Sequence, residues 1–161
     1  NLELNASKAN DGIGTLLVQP ITYINYEVTA HVVRSSTDEQ RGASLAMIGG
    51  ATNRFGAPIA GIGVGIFGGN IQVWRIAKDD ESLLQALDIG QTTDTIALKM
   101  AVSDGYLVDF YWQEEGGQWK PVLQGYDASS LVPWGMGFRV GVAARGEAGS
   151  VRLLDFAIRN N

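Results

Sequence analysis

Lys99, Asp109 and Tyr111 alternate with apolar residues in two strand-like runs, and Lys120 follows a glycine-rich turn, all within TIALKMAVSDGYLVDFYWQEEGGQWKPVL, residues 95–123. A lysine, a carboxylate and a phenol on one polar face offer donors and acceptors to sugar hydroxyls, and the tyrosine ring adds an apolar surface for a sugar C–H face. Trp74 and Trp134 are two further candidate platforms, Trp74 because it falls opposite a strand with glycine along one face, Trp134 because it falls in a loop. His31 is the only histidine. It sits at a polar position of a strand-like run with no nucleophile-elbow motif in the chain. It therefore reads as a hydrogen-bond partner for a sugar rather than the base of a triad.

Hydrolysis of a glycosidic bond asks for two carboxylates about 5–9.5 Å apart across that bond. Asp79-Asp80-Glu81 and Glu114-Glu115 fall in predicted turns, where acids are solvated. Glu27 and Asp109 fall mid-strand on polar faces, with Asp109 expected opposite Lys99. A stand-alone glycoside hydrolase or lyase would have to rest on those two.

The elements that position these side chains follow from period-two alternation. Ile96, Leu98, Met100 and Val102 define one strand face, and Val108, Phe110 and Trp112 the next. A two-residue Asp104-Gly105 turn would mix the faces. A three-residue loop with Gly105 left-handed keeps them apart, placing Met100 opposite Val108 and Leu98 opposite Phe110. The turn Glu114-Glu115-Gly116-Gly117 then sets Trp112 opposite Trp119, a cross-strand aromatic pair assigned to the core. Elsewhere strands are expected at 2–4, 14–19, 22–34, 43–49, 71–77, 83–89, 136–145 and 150–159. Loops are expected at 35–41, 50–58 and 127–135, and a charged turn at 78–82. The run AGIGVGIFGG has glycine spacing loosely like a phosphate loop, but its glycines alternate with Ile62, Val64 and Ile66 inside a strand and no helix follows. About a dozen short strands with glycine-rich turns make the chain all-β, a sandwich or barrel.

Composition narrows the function classes. The chain has 161 residues, 45% hydrophobic and 18% charged, which fits one globular domain with a substantial core. The net charge of −5 and the scattered twelve basic residues exclude a duplex-binding surface, so no nucleic-acid partner is expected. Absence of cysteine removes disulfides, thiolate zinc sites and a thiol nucleophile. There is no apolar run of the ~18 residues a membrane helix needs, and no membrane partner is expected.

The last third resembles the concanavalin A-like (laminin G-like) jelly rolls, and is similar in particular to the C-terminal sandwich of family-43 glycoside hydrolases, the β-xylosidases and arabinofuranosidases. The residues in question are IALKMAVSDGYLVDFYWQEEGGQWKPV, the segment YDASSL, and GFRVGVAARGEAGSVRLLDFAI. GTLLVQPITYINYEVTAHV fits the early strands less closely. The resemblance implies a two-sheet antiparallel jelly-roll β-sandwich whose concave face can hold a glycan. The family sandwich begins with a further strand that pairs with the last. None is evident ahead of Asn1, so residues 1–161 read as a single domain excised from a larger protein. The Glu-x-Asp-x-x-Glu strand motif of laminarinase-type jelly rolls is absent.

The function expected is a non-catalytic carbohydrate-binding or accessory module of a polysaccharide-degrading glycoside hydrolase. Its partners would be a polysaccharide or oligosaccharide and a catalytic domain in the same chain, and its location secreted, periplasmic or at the cell surface. A protein-interaction or adhesion module is a further alternative. Sandwiches of this kind often hold one structural Ca²⁺ between the early and final strands. Asp155 points away from Leu154, Phe156 and Ile158 and is the residue expected to ligate it, with Glu3 joining and backbone carbonyls completing the oxygen set.

Overall fold

The computed structural model describes residues 1–49, 59–77, 80–131 and 137–161. The expected 50–58 loop, Lys78 and Asp79 of the charged turn, and Trp134 lie outside the described residues. The strands are β1 (Leu2–Ala6), β2 (Thr15–Pro20), β3 (Tyr26–Val33), β4 (Arg41–Gly49), β5 (Ala60–Phe67) and β6 (Asn70–Ala77) in the first half of the chain. The second half supplies β7 (Asp80–Asp88), β8 (Thr95–Ser103), β9 (Leu107–Glu114), β10 (Lys120–Asp127), β11 (Arg139–Gly146) and β12 (Gly149–Asn160). Among the described residues there is no α-helix. Two six-stranded antiparallel sheets form a sandwich: sheet A in the order β1-β12-β3-β8-β9-β10, sheet B in the order β2-β11-β4-β5-β6-β7. The strand that pairs with the last one, expected to be missing, is present as β1, with Leu2 opposite Leu153 and Leu4 opposite Val151.

Alternation decides which side chains lie between the sheets. Val28, Ala30 and Val32 of β3, Leu98 and Met100 of β8, and Val108 and Phe110 of β9 meet Leu45 and Met47 of β4, Ile62, Val64 and Ile66 of β5, and Val140 and Val142 of β11 in one core. Burial of this apolar surface is the main force holding the sheets together. A second apolar cluster lies on the far side of sheet B, where Ile13, Ala46, Ile48, Trp74, Ile76 and Ala143 pack. The glycines of β5 make room for it. Gly63 pairs with Trp74, whose indole Nε1–H donates to Ser44 Oγ at 3.0 Å. The Arg145 guanidinium stacks on that indole 4.1 Å from its ring centroid. It also donates to the Ile13 carbonyl at 3.0 Å and to Glu81 Oε1 at 2.6 Å, tying the 7–14 loop and β7 to the sheet. Burial pulls the Arg145 pKa down, and Glu81 partly restores it.

The starts of β3 and β7 and the register of one hairpin differ from expectation. The long strand expected at 22–34 starts only at Tyr26, because the residues before it serve the β8–β9 turn: the Ile24 carbonyl accepts from Gly105 N–H at 2.8 Å and Asn25 Oδ1 from Asp104 N–H at 3.2 Å. β7 begins at Asp80, inside the expected charged turn, because Glu81 and Ser82 continue the ladder opposite Ile76 and Arg75. The β8–β9 hairpin keeps its faces but not its register. Met100 lies opposite Phe110 and Leu98 opposite Trp112. Asp104 and Gly105 both have positive φ, +54° and +82°, and Tyr106 N–H returns to the Ser103 carbonyl at 3.2 Å. This is the two-residue turn with Tyr106 added as a bulge, a two-residue slip that leaves side-chain facing unchanged.

The hydroxyl of Tyr26 is buried and has no hydrogen-bond partner among the described residues, and burial raises its pKa above the ordinary phenol value. Removing an unpaired buried hydroxyl relieves a desolvation cost. Tyr26→Phe is therefore expected to leave stability unchanged or raise it by up to about 1 kcal/mol in urea unfolding.

Candidate functional site

The outward face of sheet A presents the polar halves of four strands. Glu27, Thr29 and His31 come from β3, Lys99 from β8, Gln113 from β9, and Ala157 and Arg159 from β12. Together with Trp119 they line a cavity of about 370 Å³. A second hollow of about 260 Å³ continues from it past His31 and Gln113 toward Glu114, Glu115 and Leu154. The two make one groove across the sheet.

Paired polar side chains on neighbouring strands lace the groove. His31 Nδ1 lies 2.7 Å from Asp155 Oδ1, and Arg159 donates to Glu27 Oε2 at 2.9 Å. The Lys99 ammonium sits over two aromatic rings, 4.8 Å from the Tyr111 centroid and 4.4 Å from that of Trp119. Each such contact holds a cation in place without neutralising it. Gln113 Nε2 donates to the Gly117 carbonyl at 2.8 Å and so braces the turn ahead of Trp119.

Of the expected site residues, Lys99, Tyr111 and His31 are brought together here. Asp109 shares their face but lies farther along β9, opposite Ala101 and not Lys99, and its Oδ1 accepts from Gly125 N–H at 2.7 Å. Lys120 is misplaced by the sequence reading. Trp112 pairs with Lys120, one residue later than expected, and a one-residue slip turns every side chain over. Lys120 therefore lies on the Trp112 side, 4.8 Å above that ring and 3.8 Å from Glu114. The same slip moves Trp119 out of the core and into the groove. Only Trp112 of the expected core pair is buried. Trp74 is no platform: it is 1% exposed and belongs to the far side of sheet B.

Glu3 and Asp155, the expected calcium ligands, are engaged by different partners. Glu3 lies opposite Arg152 and bonds the Ser150 hydroxyl, whereas Asp155 is engaged by His31. Among the described residues no three acidic or histidine side chains gather.

Thr29, Gln113 and Arg159 were not singled out as site residues. Alternation alone could have found them, since each shares the polar parity of His31, Tyr111 and Asp155. Trp119 had no such signal, because its side depends on the turn.

Comparison with solved structures identifies the fold. The chain superposes on the GH43 protein BlXynB from Bacillus licheniformis with a TM-score of 0.76 at 17% identity, covering 99% of this chain and 32% of that one. Against xylan β-1,4-xylosidase from Bacillus halodurans C-125 the TM-score is 0.79 at 16% identity, covering 98% and 32%. The chain has the fold of one part of these enzymes. It spans about a third of their length, consistent with the C-terminal β-sandwich that the sequence resembles. The same fold makes up 74% of a functionally unknown protein from Saccharomyces cerevisiae, at a TM-score of 0.58 and 12% identity. No family model and no curated protein sequence matches the chain.

Proposed function

We propose that this chain is a non-catalytic accessory module that works beside a glycoside hydrolase catalytic domain and binds glycan in the groove on sheet A. The observation behind this reading is the convergence of Trp119, Lys99, Gln113, Thr29 and His31 on one cavity of about 370 Å³. An indole beside several hydrogen-bonding groups is the combination a pyranose or furanose ring requires, apolar on its C–H face and polar at its rim. The groove carboxylates favour binding over hydrolysis. Glu27 is tied to Arg159 and Asp155 to His31, so these two are held by structural partners, and Glu114 and Glu115 lie together at the far end of the groove. The solved enzymes of the same fold lend the glycosidase context. We also propose that the module works outside the cell or at its surface, where polysaccharide is met.

Native affinity electrophoresis in gels containing xylan, arabinan or fructan tests the reading. Retardation by at least one polymer is expected, with no reducing sugar released on prolonged incubation. If none of the three slows migration, direct glycan binding by the module is ruled out for these classes. Release of sugar that disappears in Glu27→Gln or Asp109→Asn would instead support a hydrolase.

A further inference from the structure

Among the described residues that line the groove, Lys99 is the one permanently charged cation without a carboxylate partner. Arg159 is matched by Glu27 at 2.9 Å, His31 faces Asp155 at 2.7 Å, and Lys120, outside the groove, lies 3.8 Å from Glu114. Lys99 has no carboxylate within 4.0 Å and no hydrogen-bond acceptor among the described residues; its neighbours are the rings of Tyr111 and Trp119. The rings fix the position of the ammonium and leave its charge uncompensated.

We infer that the glycan bound here carries a carboxylate, that is, a uronic acid residue, and that Lys99 receives it. The inference rests on the carbohydrate-binding reading above. Lys99 lines the same cavity as Trp119, Thr29 and Gln113, so a carboxylate at its ammonium leaves the sugar ring among groups suited to its C–H face and hydroxyls. Orientation follows from the rest of the groove. Glu115, which makes no ion pair among the described residues, lines the adjoining 260 Å³ hollow with Glu114. Acids at that end repel a carboxylate, so the acidic sugar sits at the Lys99 end and neutral residues extend past His31 and Gln113. A charge-assisted contact of this kind is stronger than one between neutral groups and weakens with salt when it is partly exposed.

Affinity electrophoresis and titration calorimetry with glucuronoxylan and polygalacturonan, each beside its carboxyl-reduced form, test the inference. The wild-type protein is expected to bind one acidic polymer roughly tenfold more tightly than its reduced counterpart, with the preference shrinking as salt is raised. Lys99→Gln should equalise the two while still binding the reduced polymer, and Lys99→Arg should keep the preference. Equal binding of acidic and reduced polymers by the wild-type protein overturns the uronate inference and leaves carbohydrate binding standing. Binding to no polymer, acidic or neutral, overturns both. A preference that survives Lys99→Gln overturns the assignment to Lys99.

Discussion

Trp74→Ala should destabilise the protein by about 3–5 kcal/mol, the usual range for removing a fully buried tryptophan. Folded domains are typically stable by only about 5–15 kcal/mol, so this is a large part of the total. The indole is the centre of the cluster on the far side of sheet B. It covers Gly63, donates to Ser44 at 3.0 Å and supports the Arg145 guanidinium at 4.1 Å. Its loss empties that space and withdraws the surface on which Arg145 holds the 7–14 loop. Gly63 provides a complementary test. A Cβ added there would lie 2.5 Å from Cζ2 of the indole and would also collide with the Leu45 carbonyl. Gly63→Ala alone should cost about 1–3 kcal/mol through overpacking. In the Trp74→Ala background it should cost less, because one of the two clashes is gone. Urea unfolding of the four proteins in this cycle measures the coupling, and strict additivity would contradict the account of why β5 alternates glycine.

Trp119→Ala should act on binding and not on folding. Truncating a tryptophan at the centre of a binding site costs about 2 kcal/mol or more, roughly thirtyfold in affinity. Trp119 is half-buried, lies just before β10 and contributes nothing to the core between the sheets, so the melting temperature should barely move. Lys120→Ala, one residue away, should leave affinity unchanged, because Lys120 lies over Trp112 on the other side of the strand. Calorimetric titration of both variants with the polymer that retards the wild-type protein separates these outcomes. Equal losses from the two would mean that the groove is not where the glycan sits.

The adjacency of Trp119 and Lys120 also explains what could be read from the sequence and what could not. The faces of β3, β5, β8 and β9 were legible because each strand alternates strictly, and a buried face tolerates only one parity. The glycine-lined face of β5 was legible, but the Trp74 side chain of the neighbouring strand fills the space it leaves, so the apparent platform is a core residue. The β8–β9 hairpin was wrong by two residues without harm, since an even slip preserves facing. The β9–β10 turn was wrong by one, and this exchanged Trp119 with Lys120 between groove and core side. Nothing in QEEGGQW states how many residues the turn holds. That is set by the Glu114–Gly117 hydrogen bond, the positive φ of Gly116 and the brace from Gln113, all tertiary details. Partnering was equally hidden. Asp155 is exposed on the expected face, yet whether it meets a metal or His31 depends on the pairing of β12 with β3, strands far apart in sequence.

Glycan binding on the outward face of sheet A, as proposed, can be read residue by residue by ¹H–¹⁵N NMR mapping. Titration with soluble xylo- or glucuronoxylo-oligosaccharides should shift the Trp119 indole N–H, the Gln113 side-chain amide and the backbone amides of Thr29, His31 and Lys99, while the Trp74 indole N–H stays in place. Shifts centred on Trp74, Arg145 and the 7–14 loop, with the Trp119 and Gln113 signals unmoved, would contradict it.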